Sequence, residues 1–319
     1  MFDISTDVEQ KVCEVGCVKF GGLPGEYPTV VCNSIFQKGD NVFGGKRKGG
    51  FDEKLATDLL KTQDRLWEET GIPGMADIVA NTGDEFKTFI DFVTSVTTMP
   101  FCIDAWVMKP KLAGAAYCAE KGLLDRMFYN SLTVWEKDLE TEIKEIADIG
   151  VKHVLLVAFD ETDQTANGRV TGTQKLLDAI DKVGAKFESI FVDSSVMNGP
   201  ATALCSVANK MIKEKWGVPT SSAPSNGSYM WKEAREKWGF KGWAAADAAV
   251  EALSACNSHD MIFSGPMAGA PRIMPAIAMA NAFQATAIFN NSGRLPKDPN
   301  HPLLKLFPDF VENLKSSVK

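Results

Sequence analysis

The sequence predicts an α/β protein of the (β/α)8 TIM-barrel class, with an N-terminal β-hairpin before the barrel. Short, continuously apolar runs, typical of strands buried on both faces, alternate with stretches of helical periodicity. This alternation implies right-handed βαβ units, and eight strand-like runs favour a closed barrel over an open sheet. The length of 319 residues is also normal for one barrel of about 250 residues with insertions.

The segment before the barrel has the pattern of a short hairpin over residues 12–20, turning near Gly16. Such a piece can close the bottom of a barrel. We therefore divide the chain into a hairpin segment (1–27), a single barrel domain (28–290) and a C-terminal tail (291–319). The tail is rich in proline and lysine, and we expect it to wrap around the outside of the barrel.

The barrel elements follow one another in order. The eight predicted strands are 29–32, 76–80, 101–104, 126–130, 153–158, 190–193, 218–221 and 261–264. The clearest helical patterns between them are 51–70, 84–97, 134–149 and 201–216. Residues 38–50, rich in glycine and lysine, follow the first strand and are expected to form a mobile loop at the active face.

Composition excludes several classes of protein. A net charge of −7 and a pI near 5.2 argue against nucleic acid, which selects basic faces. No apolar run approaches the roughly 20 residues needed to span a bilayer, and the acidic start lacks the pattern of a signal peptide. Seven cysteines, an odd number scattered mostly among apolar neighbours, indicate reduced thiols. The expected location is therefore the cytoplasm.

Polar residues stand where several of the apolar runs stop. The main ones are Asp104, Asn130, Asp193 and Asn226, and Asn81 is a weaker member of the same set. Because the carboxyl ends of barrel strands meet at the face that carries the chemistry, we expect these groups to converge. Two carboxylates and two amides suit a flat heterocycle rich in donors and acceptors better than a phosphate or a metal. Either aspartate alone could instead cap the following helix or bond a loop amide.

Metal and Schiff-base chemistry find little support in the sequence. His153 opens the fifth predicted strand and His259 comes just before the eighth, so both belong to the bottom of the barrel, and His301 lies in the tail. None of the eight strand-like runs contains a lysine. We therefore expect no metal site in this chain. Cys32 and Cys102, near strand ends, are the thiols to suspect first if a metal were found.

The segment 21–30, GGLPGEYPTV, closely resembles a GGxPGEYPTV signature. That signature occurs near the N-terminus of the MtrH/MtgA-like family, which comprises the H component of the tetrahydromethanopterin:coenzyme M methyltransferase and its bacterial tetrahydrofolate relatives. The similarity continues through 101–104, 129–131 and 216–226, and covers most of the chain to about residue 290. More distantly, the four strand-end residues resemble the pterin-binding set of methyltetrahydrofolate:corrinoid methyltransferases.

This resemblance implies a methyltransferase that moves a methyl group between a corrinoid cobalt and N5 of tetrahydrofolate. The corrinoid (methylcobalamin) is expected on a partner protein, because the chain lacks an Asp-x-His-x-x-Gly motif. The pterin-binding set would be Asp104, Asn130, Asp193, Asn226 and Asn81, with Asn226 and Asp104 as the candidate catalytic residues. The MtrH relatives also imply a homodimer.

Asn226, predicted on a turn beside Gly227, would present a mobile amide to N5, and the two aspartates would accept from pterin N–H groups. The alternatives are a tetrahydromethanopterin-dependent methyltransferase component, a dihydropteroate-synthase-like enzyme and a non-catalytic pterin-binding module. The dihydropteroate-synthase-like enzyme needs a phosphate-binding lysine and arginine after strands seven and eight, where only Arg272 is available.

Trp106, directly after Asp104, is a candidate stacking wall or partner contact.

Overall fold

The structure is a computed structural model that describes residues 3–4, 6–44 and 50–317. Residues 45–49, the centre of the predicted loop 38–50, lie outside the described residues, so the expected mobility of this loop stays a prediction. The division of the chain at residues 27/28 and 290/291 likewise stays a prediction.

A hairpin closes the bottom of the molecule, as the sequence predicts. Strands β1 (Val12–Val15) and β2 (Val18–Gly21) pair antiparallel, and Gly16 takes the left-handed conformation (φ 59°) that their tight turn requires. Phe20 is fully buried, and its ring packs edge-on against Phe191 inside the barrel at a centroid distance of 5.1 Å. The hairpin thus contributes its apolar face to the barrel interior.

Eight parallel strands close into a barrel in the order β10-β3-β4-β5-β6-β7-β8-β9, which confirms the predicted class. They are β3 (Val30–Ile35), β4 (Gly74–Val79), β5 (Phe101–Asp104), β6 (Met127–Thr133), β7 (His153–Val157), β8 (Ser189–Asp193), β9 (Thr220–Ser222) and β10 (Met261–Pro266). Strand β9 begins two residues later than predicted. Pro219 has no backbone N–H to donate to the ladder, so pairing starts beyond it.

Helices surround this barrel, and two more form the tail. They are α1 (Glu53–Thr70), α2 (Gly83–Val96), α3 (Met108–Glu120), α4 (Leu139–Ile149), α5 (Ala166–Val183), α6 (Thr202–Trp216), α7 (Pro224–Met230), α8 (Lys232–Ala255), α9 (Ala270–Ser292), α10 (Pro302–Leu306) and α11 (Pro308–Ser317). Leu303 of α10 and Val311 of α11 pack against Ala282 and Ala285 of α9, so the tail lies on the outside of the barrel. No helix in the described part of the chain is long and apolar enough to cross a membrane.

Strand alternation decides which side chains reach the barrel interior. In β4, Ala76 and Ile78 pack in the layer between strands and helices, whereas Met75 belongs to the interior cluster. Successive strand residues point to opposite faces, so Asp77 shares the interior face with Met75. Asp77 and Val79 line a cavity there. The same alternation in β5 turns Cys102 and Asp104 inward.

Helix α2 begins with a cap that fixes the loop after β4. The Thr82 hydroxyl accepts from the Glu85 N–H at 3.1 Å, and the Glu85 carboxylate accepts from the Asn81 N–H at 2.7 Å. These reciprocal bonds satisfy donors that the start of a helix leaves open. Replacing Thr82 with alanine should therefore reduce the free energy of unfolding by about 1 kcal/mol, measured as a lower urea midpoint.

Thr88 of the same helix gives the matched control. Among the described residues its hydroxyl bonds only to the Asp84 carbonyl one turn earlier, so Thr88→Ala should leave the midpoint nearly unchanged. Equal losses in the two variants would show that the Thr82 cap contributes no more than an ordinary helix threonine.

Candidate functional site

A cavity of about 640 Å³ opens at the carboxyl ends of the barrel strands. Its volume lies within the range typical of small-molecule sites, roughly 300–1,000 Å³. The structure brings all five sequence-predicted site residues to this cavity: Asp104, Asn130, Asp193, Asn226 and Asn81. They occupy different depths and have different partners.

Asp104 ends strand β5 and stands next to Asn130 in the register of β5 and β6. Removal of its carboxyl from water raises its pKa to about 6, and the positive charge of Lys111 partly offsets this rise. A carboxylate that is ionised at neutral pH yet poorly solvated is a strong acceptor for ligand N–H groups.

Asn130 is buried and reaches across the neighbouring strand to a residue that the sequence analysis missed. Its side-chain amide donates to the Asp77 carboxylate at 3.2 Å. Burial, followed by the nearby charge of Asp104, raises the pKa of Asp77 well above its usual range, and the hydrogen bond from Asn130 lowers it. An acidic residue inside the apolar run of β4 was the available signal for this third carboxyl group on the cavity wall.

Asp193 ends β8 and lies on the far side of the cavity from Asp104, with β6 and β7 between their strands. Its carboxylate accepts from the Ser195 N–H at 2.6 Å and from the Ser221 hydroxyl at 3.3 Å. Burial raises its pKa to about 6, while these two hydrogen bonds and the charge of Arg169 lower it.

Arg169 of helix α5 holds the loop that carries Asp193. The guanidinium is buried and donates to the backbone carbonyls of Ser194 and Ser195. Ser195 itself has a left-handed backbone (φ 51°), an uncommon conformation for a residue with a side chain. The arginine therefore fixes the turn whose N–H group binds the carboxylate of Asp193.

The prediction that Asn226 lies on a mobile turn is wrong. Asn226 lies in the first turn of helix α7, which Pro224 begins. A Cβ at Gly227 would lie 2.7 Å from the backbone nitrogen of Gly199, so α7 packs directly against the loop after β8. The backbone at Asn226 is thus held in place. Its side chain is exposed to the cavity and makes no protein hydrogen bond within the described part of the chain.

The rim of the cavity carries Asn81 and two tryptophans. Asn81 is exposed, and its backbone and side chain bond to Glu85 in the α2 cap. Trp106 follows β5 and is 96% exposed, and Trp135 follows β6 and is 57% exposed. Aromatic side chains at an open mouth suit stacking or contact with a partner.

Lys111 is a second residue that the sequence analysis missed. It lies in helix α3, is buried, and lines the cavity. Its ammonium group donates to the Ser131 carbonyl at 2.5 Å and pairs with Glu142 at 2.8 Å. In sequence it looks like an ordinary amphipathic helix lysine, so only the fold shows that it supplies positive charge near Asp104.

Below the polar ring, three potential metal ligands converge on the interior face of β3, β4 and β5. The ligand atoms of Cys32, Asp77 and Cys102 all lie within 4.8 Å of one another, and the two sulfur atoms are 3.9 Å apart. The histidines lie elsewhere, as predicted from their positions. His153 begins β7, and His259 precedes β10 at the bottom of the barrel.

The sequence profile of the family described as "Tetrahydromethanopterin S-methyltransferase MtrH subunit" matches residues 8–292. The MtrH protein of tetrahydromethanopterin S-methyltransferase from Methanopyrus kandleri is 30% identical over 317 residues, covering 92% of this chain and 96% of that protein. The protein of the same name from Methanothermobacter thermautotrophicus is 30% identical over 309 residues, covering 94% of this chain and 98% of that protein.

Solved structures similar to this barrel include dihydropteroate synthases. The Yersinia pestis enzyme in complex with a sulfonamide drug has a TM-score of 0.58 at 12% identity, covering 86% of this chain and 99% of that chain. The Xanthomonas albilineans enzyme with 4-aminobenzoic acid has a TM-score of 0.57 at 15% identity, covering 86% and 98%. At this level of identity the likeness concerns the fold alone.

Proposed function

The chain belongs to the MtrH family of tetrahydromethanopterin S-methyltransferase, and from that membership we propose that it moves a methyl group between a protein-bound corrinoid and N5 of a reduced pterin. The observation that carries this proposal is the convergence of Asp104, Asn130, Asp193 and Asn226 on one cavity in a chain of this family. These four groups offer the acceptors and amides that a pterin ring can use.

The finer proposal is that the pterin is tetrahydrofolate. It rests on the resemblance to the MtrH/MtgA-like family, which includes bacterial tetrahydrofolate relatives. The relatives matched above are named for tetrahydromethanopterin, so the two pterins have to be compared directly. A homodimer, which comes from the same resemblance, and a cytoplasmic location, which comes from the cysteine content and the lack of a signal-peptide pattern, belong to the same proposal.

In the proposed mechanism this chain orients the pterin. Asp104 and Asp193, on opposite sides of the cavity, accept from pterin N–H groups, and Asn130 fixes one edge of the ring beside them. When bound, the partner's corrinoid supplies the cobalt that gives or takes the methyl group. Methyl transfer is an in-line displacement, so holding N5 in line with the methyl carbon is the main task of these residues.

N5 must be unprotonated to accept a methyl group, and it must gain positive character to release one. Asn226 is suited to this atom because its amide faces the cavity with no hydrogen-bond partner among the described residues. It can donate a hydrogen bond to the N5 lone pair in one state and turn away in the other. This side-chain motion replaces the turn motion expected from the sequence.

The corrinoid partner would approach the open mouth of the barrel. No corrinoid-binding Asp-x-His-x-x-Gly motif occurs in the sequence, so the corrinoid is proposed to arrive on a separate protein. Trp106 and Trp135 offer apolar surface at the cavity entrance, where that protein would have to dock.

Anaerobic mixing with methylcobalamin and tetrahydrofolate tests the proposal. We expect loss of the methyl–cobalt absorbance and formation of methyltetrahydrofolate, with a slower reaction when tetrahydromethanopterin replaces tetrahydrofolate. Faster turnover with tetrahydromethanopterin would overturn the choice of pterin. Binding of both pterins without any transfer would favour a non-catalytic binding module.

The dihydropteroate-synthase-like alternative is disfavoured by the position of Arg272. That reaction needs a cation free to bind phosphate after strands seven and eight. Arg272 instead bonds to the Asp247 carboxylate through Nε at 2.9 Å, and to the hydroxyl of Tyr229 at 3.1 Å. Its charge is already neutralised outside the cavity.

Pterin affinity should depend on pH through Asp193 and Asp104, which accept more strongly from N–H groups when they are ionised. The Asp193 pKa of about 6 reflects burial, with Arg169 as the charged group that opposes the shift. Protonation of these carboxylates as the pH falls through 6 removes their negative charge, so tetrahydrofolate should bind more weakly at pH 5 than at pH 8, by about tenfold or more. Calorimetry across this range measures the change.

The same calorimetric series with Asp193→Asn separates ionisation of this carboxyl group from ionisation of the pterin itself. Asparagine cannot ionise, so this variant should bind weakly at every pH and keep only the smaller step near pH 6 that Asp104 contributes. A step of the same size in the variant would assign the pH dependence to another group.

A further inference from the structure

We propose that Cys32, Asp77 and Cys102 form a binding site for a soft or borderline divalent cation, with Zn²⁺ as the expected ion. The site lies at the floor of the cavity and goes beyond the proposed methyl transfer, which requires no metal held by this chain. The expectation of no metal rested on the position of the histidines, whereas these ligands are thiols and a carboxylate.

The geometry fits a tetrahedral ion. Zinc–thiolate bonds of about 2.3 Å at a tetrahedral angle place two sulfur atoms about 3.8 Å apart. The sulfur atoms of Cys32 and Cys102 are 3.9 Å apart, and a carboxylate oxygen of Asp77 completes a triangle in which no two atoms are more than 4.8 Å apart.

The same pair of cysteines is poorly placed for a disulfide. Cys32 lies on β3 and Cys102 on β5, with β4 between them. Two strand spacings separate the backbones by roughly 9 Å. That distance exceeds the limit of about 7 Å between the Cα atoms of a disulfide. The sulfur atoms meet only because both side chains point to the barrel axis, an arrangement that an ion can bridge.

No basic side chain of the described residues pairs directly with these three groups. All three residues are buried, and within the described part of the chain no lysine, arginine or histidine forms an ion pair or hydrogen bond with them. Asn130 donates to one Asp77 oxygen and thereby orients the carboxylate, as groups behind metal ligands commonly do. Cys32 and Asp77 also line the cavity, so a fourth ligand, such as water, can approach from that side.

The ligand set determines which ions are accepted. Two thiolates select zinc and similar ions over magnesium and calcium, which prefer oxygen ligands. Binding requires loss of the two thiol protons, and of the Asp77 proton where that carboxyl is protonated. The ion therefore replaces two or three protons, and its affinity should increase with pH.

Spectroscopic titration with Co²⁺ tests the site without substrate or partner. The protein carries Cys17→Ser, because Cys17 is an exposed thiol that could bind metal adventitiously. After anaerobic reduction and removal of metal with a chelator, one equivalent of Co²⁺ should produce thiolate-to-cobalt charge-transfer absorbance. Added Zn²⁺ should displace it, and Mg²⁺ should not.

Two substitutions assign the ligands. Cys32→Ser and Asp77→Asn preserve side-chain size and should each weaken Co²⁺ binding by about 100-fold or more. Cys118→Ser removes another buried thiol, on α3 outside the barrel, and should leave the spectrum unchanged. Absence of the charge-transfer band in the protein with all three ligands intact would overturn the proposal, whatever the variants do. A band that survives in folded Cys32→Ser protein would also overturn it. Neither result bears on methyl transfer.

Discussion

Replacing Asn226 with alanine is expected to slow methyl transfer far more than it weakens tetrahydrofolate binding. Its amide is exposed to the cavity and free of protein partners among the described residues, so it can follow the change at N5. Loss of one aimed hydrogen bond at a reacting centre raises the barrier by about 2–4 kcal/mol, roughly a 30- to 1,000-fold slower step. The loss from ground-state binding should be nearer 1 kcal/mol. Stopped-flow single turnovers and calorimetry measure the two effects separately.

Thermal melting is the first control, because α7 packs against the loop after β8 and the variant must keep that contact. Asn257→Ala is the second, since this asparagine lies at the opposite end of the barrel, between α8 and β10. It should leave rate and affinity unchanged. If Asn226→Ala lost rate and affinity equally, the residue would bind the pterin without a catalytic role.

Replacing Asp104 or Asp193 with asparagine is expected to weaken tetrahydrofolate binding by about tenfold or more. Each carboxylate is withdrawn from water on its own side of the cavity. A charge-assisted hydrogen bond to a pterin N–H group contributes roughly 1.5–3 kcal/mol. Asparagine keeps the size of the side chain but removes the negative charge and one acceptor. Calorimetric titration of each variant gives the change in affinity directly.

Asp84→Asn provides a matched charge removal outside the cavity, on the exposed first turn of α2. It should bind tetrahydrofolate as the unaltered protein does. Unchanged affinity in both Asp104→Asn and Asp193→Asn would remove these carboxylates from the pterin site and leave the proposed orientation of the ring without support.

The sequence alone was sufficient to predict the barrel because the strands of this fold are short and buried on both faces. Continuous apolar runs separated by helical periodicity predicted all eight strands, and β5 was predicted with its observed bounds, Phe101–Asp104. The errors were local. Strand β9 starts after Pro219, and the residues around Asn226 form helix α7 because Pro224 favours the first turn of a helix.

The site was predictable where position along a strand determines position in space. The carboxyl ends of parallel barrel strands meet at one face, so Asp104, Asn130 and Asp193 could be assigned to a common cavity without coordinates. His153 at the start of β7 and His259 just before β10 could be assigned to the other end by the same rule.

The fold class and the ring of polar groups at the strand ends thus follow from the order of elements along the chain. Three contacts could be found only from the folded chain: Lys111 reaches the cavity, Asp77 bonds to Asn130, and Cys32 and Cys102 bring their sulfur atoms together. They join residues on different elements, and they depend on which face each side chain takes and on how the closed barrel brings those faces together. The raised pKa values of Asp104 and Asp193 have the same origin, since desolvation is set by everything packed around a group and not by its neighbours in sequence.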